Sequence, residues 1–351
     1  MDDERTDMLD IEFQENIAFG FAPAFINSRP LYENEVTAVF ADATYSVSED
    51  FRLGLGVRDT TEKKVHSTIN VGFVPFCTGA ELFTQKWEDS STTMRASAEY
   101  DMSENSMMYV SYSEGFKSGG ANNGDCNPPY NPENLDAAEI GFKASLADGS
   151  ATLRAALFHY DYSDFQILQV KNFADVITNA DDAEITGMEL EFTSAVSDRW
   201  LINAGLTILE SEYGEFLQED LSVFNGVPVQ IAGNPLNNAP DTSMNVGVTY
   251  GIEFGSGAKL ALSLDAAYRS RVYFREFGNK LDSQDGYAIV NFNANWESAD
   301  GAFAARLFAN NLTDKAHVTG MYALQTTYGR QGTWNMPRQV GIEVTRFFGG
   351  R

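Results

Sequence analysis

Long apolar runs are absent from this sequence. No segment reaches about 18 consecutive apolar residues, the length at which a membrane-spanning helix is expected. Transmembrane helices are therefore not predicted. A membrane protein made of strands is still allowed, because a transmembrane strand needs only about ten residues and only every second one must be apolar.

Positive charge is also scarce. Lys and Arg number 24 against 50 Asp and Glu, which gives a formal net charge of −26. Nucleic acid is not an expected partner, because phosphate binding needs clustered Lys and Arg. The acidic surplus fits a soluble surface and long hydrated loops equally well.

Residues that carry metal-binding or nucleophilic chemistry are few. The chain has 2 cysteines and 3 histidines, and their spacing matches neither a metal site nor a redox motif. No Gly-x-Ser-x-Gly elbow occurs, so we expect no enzyme activity, no metal site and no cofactor. Two acidic groups lack the spacing of a calcium loop and are interpreted as solvated loop charges. These groups are Asp181, Asp182 and Glu184, and Glu215, Glu219 and Asp220.

What the sequence does contain is alternation. From Trp200 to Ile208 and from Ala288 to Glu297, apolar residues alternate with Asn, Gly, Thr and Glu. Near the end, Val340, Ile342 and Val344 form one face of a similar segment. This pattern is typical of a strand between lipid and a wet lumen, and equally of a soluble sheet with one solvated face.

The connections between these segments alternate in length. Short polar turns alternate with longer irregular stretches, so all short turns lie at one end of consecutive antiparallel strands and all long loops at the other. The predicted short turns are SED (48–50), MSEN (102–105), ADG (147–149), AVSD (195–198), GSG (255–257) and ESADG (297–301). The predicted long loops lie near 21–34, 66–90, 118–135, 171–182, 214–240, 273–285 and 314–336. The prolines up to Pro240 are expected in these loops, away from strand interiors.

Together these signals predict an all-β protein, an antiparallel transmembrane β-barrel of about fourteen strands with short periplasmic turns and long extracellular loops. The predicted strands are 7–20, 35–47, 51–65, 91–101, 105–117, 136–147, 150–170, 183–194, 199–213, 242–254, 258–272, 287–297, 302–313 and 337–348.

Several segments resemble one known family, in its order along the chain. They are YVSYSEGFKSGG (109–120), NPENLDAAEIGFKASL (131–146), ATLRAALFHYDYSDFQ (151–166), AEITGMELEF (183–192), NNAPDTSMNVGVTY (237–250), LFANNLTDKAH (307–317) and PRQVGIEVTRFF (337–348). They resemble the carboxy-terminal barrel of TonB-dependent receptors, the active transporters of the Gram-negative outer membrane. The resemblance covers residues 35–348; residues 1–34 are poorly assigned and 349–351 form a short tail.

The resemblance carries further expectations. The family barrel has 22 strands, so about fourteen would be its last two-thirds. The signal peptide, the plug domain and the TonB box are not found in this sequence, whose start, MDDERTDMLD, is polar and acidic. Such a fragment is not expected to transport alone, because in this family the plug carries the contact with TonB. Phe348 resembles the terminal aromatic residue that the barrel assembly machinery reads.

The function implied by the resemblance is uptake of a scarce bulky nutrient such as a ferric siderophore, with outer-membrane lipid as surroundings. An anionic iron chelate would be attracted by clustered arginines. Ligand-binding candidates are therefore Arg269, Arg271, Tyr273, Arg275 and Trp334, with Arg330 nearby in the sequence. The alternative for these arginines is pairing with interior carboxylates such as Asp265 or Glu276.

Three alternatives stay open. Cys77 and Cys126 fall in long loops at the same end and could form a disulfide in an oxidising envelope, or remain two separate thiols. The chain could be a self-contained passive channel of fourteen strands, an even and closable number. It could also be a soluble β-sandwich, but the one-sided loop lengths argue against that.

Overall fold

The computed structural model describes residues 27–71, 82–122, 128–171, 174–220, 227–324 and 329–348. These residues form strands and two short 3₁₀ turns, Ala147–Gly149 and Lys280–Asp282. Within the same ranges, no helix is long and apolar enough to cross a membrane.

One antiparallel sheet of 13 strands makes up the wall of the molecule. Every neighbouring pair in it is antiparallel, and the sheet has β1 and β21 at its two edges within the described residues. The wall strands are β1 (Asn27–Ser46), β2 (Phe51–Val71), β3 (Leu82–Ser103), β4 (Ser106–Lys117), β5 (Glu133–Leu146), β6 (Ala151–Ser163), β9 (Asp182–Ser197), β10 (Trp200–Tyr213), β13 (Thr242–Glu253), β14 (Lys259–Arg269), β17 (Tyr287–Glu297), β18 (Phe303–Asn310) and β21 (Gln339–Arg346).

The wall confirms the all-β prediction and the strand order. Each wall strand overlaps one predicted strand; the remaining predicted strand, 7–20, lies outside the described residues. The predicted strand 150–170 is wrong in extent. Asp164 has a left-handed φ of 54°, which ends β6 and starts a separate strand.

The short turns all lie at one end of the wall, as predicted. Three of them use left-handed glycines, Gly149 (φ 89°), Gly257 (φ 86°) and Gly301 (φ 66°). Glycine adopts this conformation without a steric penalty, so tight reversals are possible at these positions.

The long loops at the other end are not irregular, and this part of the prediction is wrong. We number the five loops that are at least partly described L1 (118–132), L2 (164–181), L3 (214–241), L4 (270–286) and L5 (311–338). Four of them contain two-stranded hairpins. These are β7 (Gln166–Lys171) with β8 (Ala174–Asn179) in L2, β11 (Leu217–Asp220) with β12 (Val227–Gln230) in L3, β15 (Val272–Tyr273) with β16 (Ser283–Gln284) in L4, and β19 (Val318–Leu324) with β20 (Gly329–Trp334) in L5.

Two prolines lie within strands rather than in irregular loops. Pro30 lies in β1, at an edge of the described sheet, and Pro228 lies in β12 of a two-stranded hairpin. Both positions are compatible with proline, because an edge strand leaves one side without ladder partners.

The two faces of the wall differ in chemistry. At one level the outer face carries Ile202, Val248, Leu264 and Phe292 on consecutive strands. One residue further along, the inner face carries Asn203, Gly247, Asp265 and Asn291 on the same strands. Charges on this face are paired across strands: Arg52 with Glu99 (3.1 Å), Arg95 with Asp42 (2.7 Å) and Arg154 with Glu191 (3.3 Å).

Two rows of side chains border the outer apolar band. Toward the short turns lie exposed aromatic residues, namely Tyr45, Tyr100, Trp200, Trp296 and Phe303. Toward the loops lie five carboxylates on five consecutive strands, each the direct cross-strand partner of the next: Glu114, Asp136, Asp161, Glu184 and Glu212. The band between the rows spans about ten residues, or roughly 26 Å for strands tilted by about 40°.

Candidate functional site

The loops pack onto the inner face of the wall. Their apolar core joins wall residues Ala183 and Tyr213 to loop residues Ile167 and Ile231, all nearly fully buried. Ala183 and Tyr213 belong to the inward rows of β9 and β10, so L2 and L3 lean over the lumen rather than outward. This core fixes the loops as one layer at the mouth.

A chain of buried amides links three of the loops. Gln169 in L2 donates to Gln218 in L3, and Gln218 donates through its side-chain amide to Glu276 in L4 at 2.8 Å. Gln218 is 2 % exposed and Gln169 is 4 % exposed. Because buried polar groups are costly unless hydrogen-bonded, this chain specifies how the three loops sit against each other.

A buried ion-pair network extends this linkage to L5. The guanidinium of Arg275 contacts Asp220 at 2.9 Å and Asp282 at 3.1 Å, and Arg330 contacts the other oxygen of Asp282 at 2.5 Å. Asp282 has no solvent exposure. The network joins L3, L4 and L5 through four side chains.

This network corrects one prediction and bears on another. Asp220, interpreted as a solvated loop charge, is buried and ion-paired. Arg271, Arg275 and Arg330 do pair with carboxylates, but with Asp220, Asp282 and Asp285 instead of Asp265 and Glu276.

Arg271 and Tyr273 lie nearer the solvent. The guanidinium of Arg271 donates to Asp285 at 2.9 Å, within the same loop, and both side chains are more than one-third exposed. Tyr273 pairs with Ser283 in the short hairpin of L4. These residues rigidify L4 and keep a partly exposed guanidinium at its surface.

Arg269 differs from the other candidates. It ends β14 on the inward row that also carries Asp265, and it is the cross-strand partner of Tyr287. Among the described residues no carboxylate lies within ion-pair distance of Arg269, and its side chain is exposed. It therefore presents a positive charge to the lumen directly below the loops.

His317 borders this position. Its ring stacks on Tyr287 with centroids 3.9 Å apart and an angle of 17° between planes. His317 is 7 % exposed, and burial, helped by the positive charges of Lys315 and Arg269, lowers the pKa of its imidazole. The root of L5 thus rests on the inner wall next to Arg269.

The other predicted site residues are dispersed. Trp334 ends β20 and is 65 % exposed, apart from the buried network. Phe348 follows β21, is exposed, and lies 4.8 Å from the Arg346 guanidinium. Cys77 and Cys126 lie outside the described residues, and their disulfide stays a prediction.

Sequence reasoning missed Asp282, Gln218 and Gln169. In β7, Ile167 and Gln169 are buried and Leu168 is exposed, but this alternation is too brief in the sequence to mark Gln169. In the described part of the chain, no group of three or more His, Cys, Asp or Glu side chains is placed to hold a metal ion.

Comparison with known proteins decides the family. The family model described as "TonB dependent receptor-like, beta-barrel" matches residues 5–312, which is most of the chain. The chain belongs to the TonB-dependent receptor family. The family consists of outer-membrane receptors of Gram-negative bacteria, which are transporters and not enzymes, and the receptor wall described above lies in that membrane.

Relatives agree with this assignment. The receptor chain is 26 % identical over 319 residues to the probable TonB-dependent siderophore receptor PiuA of Acinetobacter baumannii, covering 85 % of this chain and 39 % of the relative. It is 24 % identical over 332 residues to the pesticin receptor of Yersinia pestis, covering 91 % and 45 %. Compared with the ferric yersiniabactin uptake receptor FyuA from Yersinia pestis, the TM-score is 0.77 at 21 % identity, covering 92 % of this chain and 47 % of that one. The chain thus spans less than half the length of these proteins.

Proposed function

We propose that this chain is the barrel part of a receptor for TonB-dependent uptake of a ferric siderophore. The observation that carries the proposal is family membership together with relatives named as siderophore and ferric yersiniabactin receptors. The wall provides the passage and the loop layer the capture surface. Energy comes from TonB, acting on a plug segment of the kind that the family places inside its barrels.

Arg269 is the residue proposed to attract the ligand. A ferric chelate with excess anionic groups gains most from a guanidinium that is exposed and has no carboxylate partner. Arg271 can assist from the loop surface, and Tyr273 and Trp334 supply aromatic contacts. Arg275 is assigned to holding the loops, because it is buried between two aspartates.

Two further partners, lipid and the assembly machinery, are proposed for the wall because it lies in the outer membrane. The apolar outer band is proposed to contact outer-membrane lipid, and Phe348 to be read by the barrel assembly machinery.

Iron uptake by cells tests the function. The gene is deleted, and uptake of radioactive iron is measured for a panel of ferric siderophores in cells with and without TonB. Saturable uptake of at least one siderophore that needs both the gene and TonB supports the proposal. Iron uptake unaffected by the deletion, with TonB-independent conductance of the purified protein in planar bilayers, would support the passive channel instead.

A matched pair of arginines tests the site. Arg269→Ala should weaken binding of the siderophore identified above by about tenfold or more, the size of one charge-assisted hydrogen bond. Arg306→Ala is the control, since Arg306 also faces inward but lies on β18 and donates to Asn293 at 2.9 Å. Equal effects of the two substitutions would remove Arg269 from the binding site.

A further inference from the structure

Arg346 faces the lipid at the short-turn end of the wall. It ends β21 on the outward row of that strand, and its direct cross-strand partner on β18 is Phe303, a member of the aromatic row. The nearby wall cations Lys259 and Arg306 belong instead to inward rows. Aromatic rows mark the level at which a membrane protein meets lipid headgroups. The guanidinium of Arg346 therefore lies at the headgroup level of the periplasmic leaflet.

Two phenylalanine rings hold this guanidinium in place. Its Cζ atom lies over the Phe303 ring at 5.5 Å from the centroid and over the Phe348 ring at 4.8 Å. A cation–π contact is made with the charge as a whole, so it leaves the N–H donors of the side chain available. Among the described residues, no oxygen accepts a hydrogen bond from the Arg346 side chain and no carboxylate lies within ion-pair distance of it.

The contrast with the inner face indicates what kind of partner Arg346 would take. On the inner face, Arg52, Arg95 and Arg154 each donate to a carboxylate of a neighbouring strand. On the outer face the membrane itself supplies an anion at the headgroup level, the phosphate diester of a phospholipid. A guanidinium matches phosphate well, because two of its N–H groups can donate to two oxygens at once.

Apolar side chains lie beside Arg346 on the bilayer side. Val344, Ile342 and Val340 continue its row toward the middle of the apolar band, and all three are largely exposed. The acyl chains of a lipid whose phosphate contacts Arg346 can therefore lie along β21. Because the chain has a net charge of −26, a general attraction of anionic lipid is not expected, and binding would depend on this position.

We propose that Arg346, held between Phe303 and Phe348, binds the phosphate of a phospholipid in the periplasmic leaflet, with the acyl chains along Val344 and Ile342. The guanidinium donates to two phosphate oxygens while the two rings fix its direction. The bound lipid attaches β21 to the membrane at a defined depth. This site goes beyond the uptake proposal, because Arg346 lies on the outer face, at the opposite end of the wall from the loop layer.

Native mass spectrometry of the purified chain in non-ionic detergent tests the site. The chain is titrated with phosphatidylglycerol, and the apparent affinity for the first bound lipid is compared between variants. Arg346→Gln should weaken binding about tenfold, the size of a lost charge-assisted hydrogen bond. Arg346→Lys should weaken it about threefold, because it retains the charge but cannot bond two oxygens at once. Phe303→Leu should also weaken it about threefold, because one of the two ring contacts is lost.

Arg306→Gln is the matched control. Arg306 also lies over a phenylalanine ring, that of Phe308 at 5.1 Å, but it faces the lumen, so this variant should bind the lipid as tightly as the wild type. Equal strand content by circular dichroism shows that the variants are folded. Unchanged affinity in Arg346→Gln, or equal losses in Arg346→Gln and Arg306→Gln, would overturn the site.

Two competitors separate the lipid from its parts. Diacylglycerol with the same acyl chains lacks the phosphate, and inorganic phosphate lacks the chains, so each should displace phosphatidylglycerol poorly. Full displacement by either one at the lipid's own concentration would show that the other half of the lipid is not recognised, and would refute the proposal. Since no siderophore is present, failure here leaves the uptake proposal standing, and failure of uptake leaves the lipid site standing.

Discussion

Arg275 offers the sharpest test of what holds the loop layer together. In Arg275→Met, an apolar side chain of comparable length replaces a guanidinium that is only 12 % exposed. Asp220, 11 % exposed, loses its contact with Arg275, while Asp282 keeps Arg330. Breaking a buried pair costs about 3–5 kcal/mol. Because Arg330 still compensates the buried Asp282, the lower end is expected, about 3 kcal/mol.

The cost should be confined to the loops. We expect amide exchange in 214–220, 227–241 and 270–286 to accelerate by about a hundredfold or more, at about 1.4 kcal/mol per factor of ten. The wall strand β17 should retain its protection, since its ladder bonds do not involve Arg275. Exchange is measured by mass spectrometry on the detergent-solubilised chain.

Two further variants make the reasoning refutable. Arg271→Met removes an exposed ion pair and should change amide exchange in the loops very little. Adding Asp220→Asn to Arg275→Met should recover much of the lost protection, because it removes the buried carboxylate charge that Arg275 compensates in the wild type. If the loop amides were equally protected from exchange in Arg275→Met and Arg271→Met, the buried ion pairs would stabilise the loops no more than an exposed ion pair does.

Two more predictions concern the loop layer. A Cβ at Gly119 would lie 2.7 Å from the Trp87 ring, so Gly119→Ala should displace L1 at a cost of about 1–3 kcal/mol and raise amide exchange near 117–120. The control is Gly255→Ala, which should have no effect on stability because the space around Gly255 is open. The lowered pKa of His317 predicts that protection of the amides at the root of L5 is full above about pH 6.5 and declines as the pH falls below that value. Amide exchange in 315–318 should lose this pH dependence in His317→Gln, and an identical acid response in the wild type and the variant would refute the assignment.

The wall could be predicted from the sequence because its rules are local. A period of two and short turns repeat in every hairpin, Pro30 is the one proline within the described wall strands, and the resulting strand order is confirmed. The boundaries were less accurate at the loop end. There β2 and β3 continue well beyond the predicted limits, to Val71 and from Leu82, because ladder pairing carries on past the apolar band.

The loop layer could not be predicted in the same way. Its hairpins are only two to seven residues per strand, too short for alternation to be distinguished from chance. The arginines at 271, 275 and 330 all pair with carboxylates, and these partners are set by how L3, L4 and L5 pack. Asp220 and Arg275 are 55 positions apart, and nothing local to either marks the other.

The five carboxylates above the outer apolar band have a consequence for the choice of membrane. They form a continuous polar limit from β4 to β10, and the aromatic row forms the opposite limit. Sinking this side of the barrel would place several acidic groups in hydrocarbon at once, so hydrophobic mismatch cannot be relieved by axial sliding. The lipid must adapt instead. A height of roughly 26 Å suits a thinner-than-average bilayer such as the bacterial outer membrane, and a thicker bilayer would have to thin around the barrel.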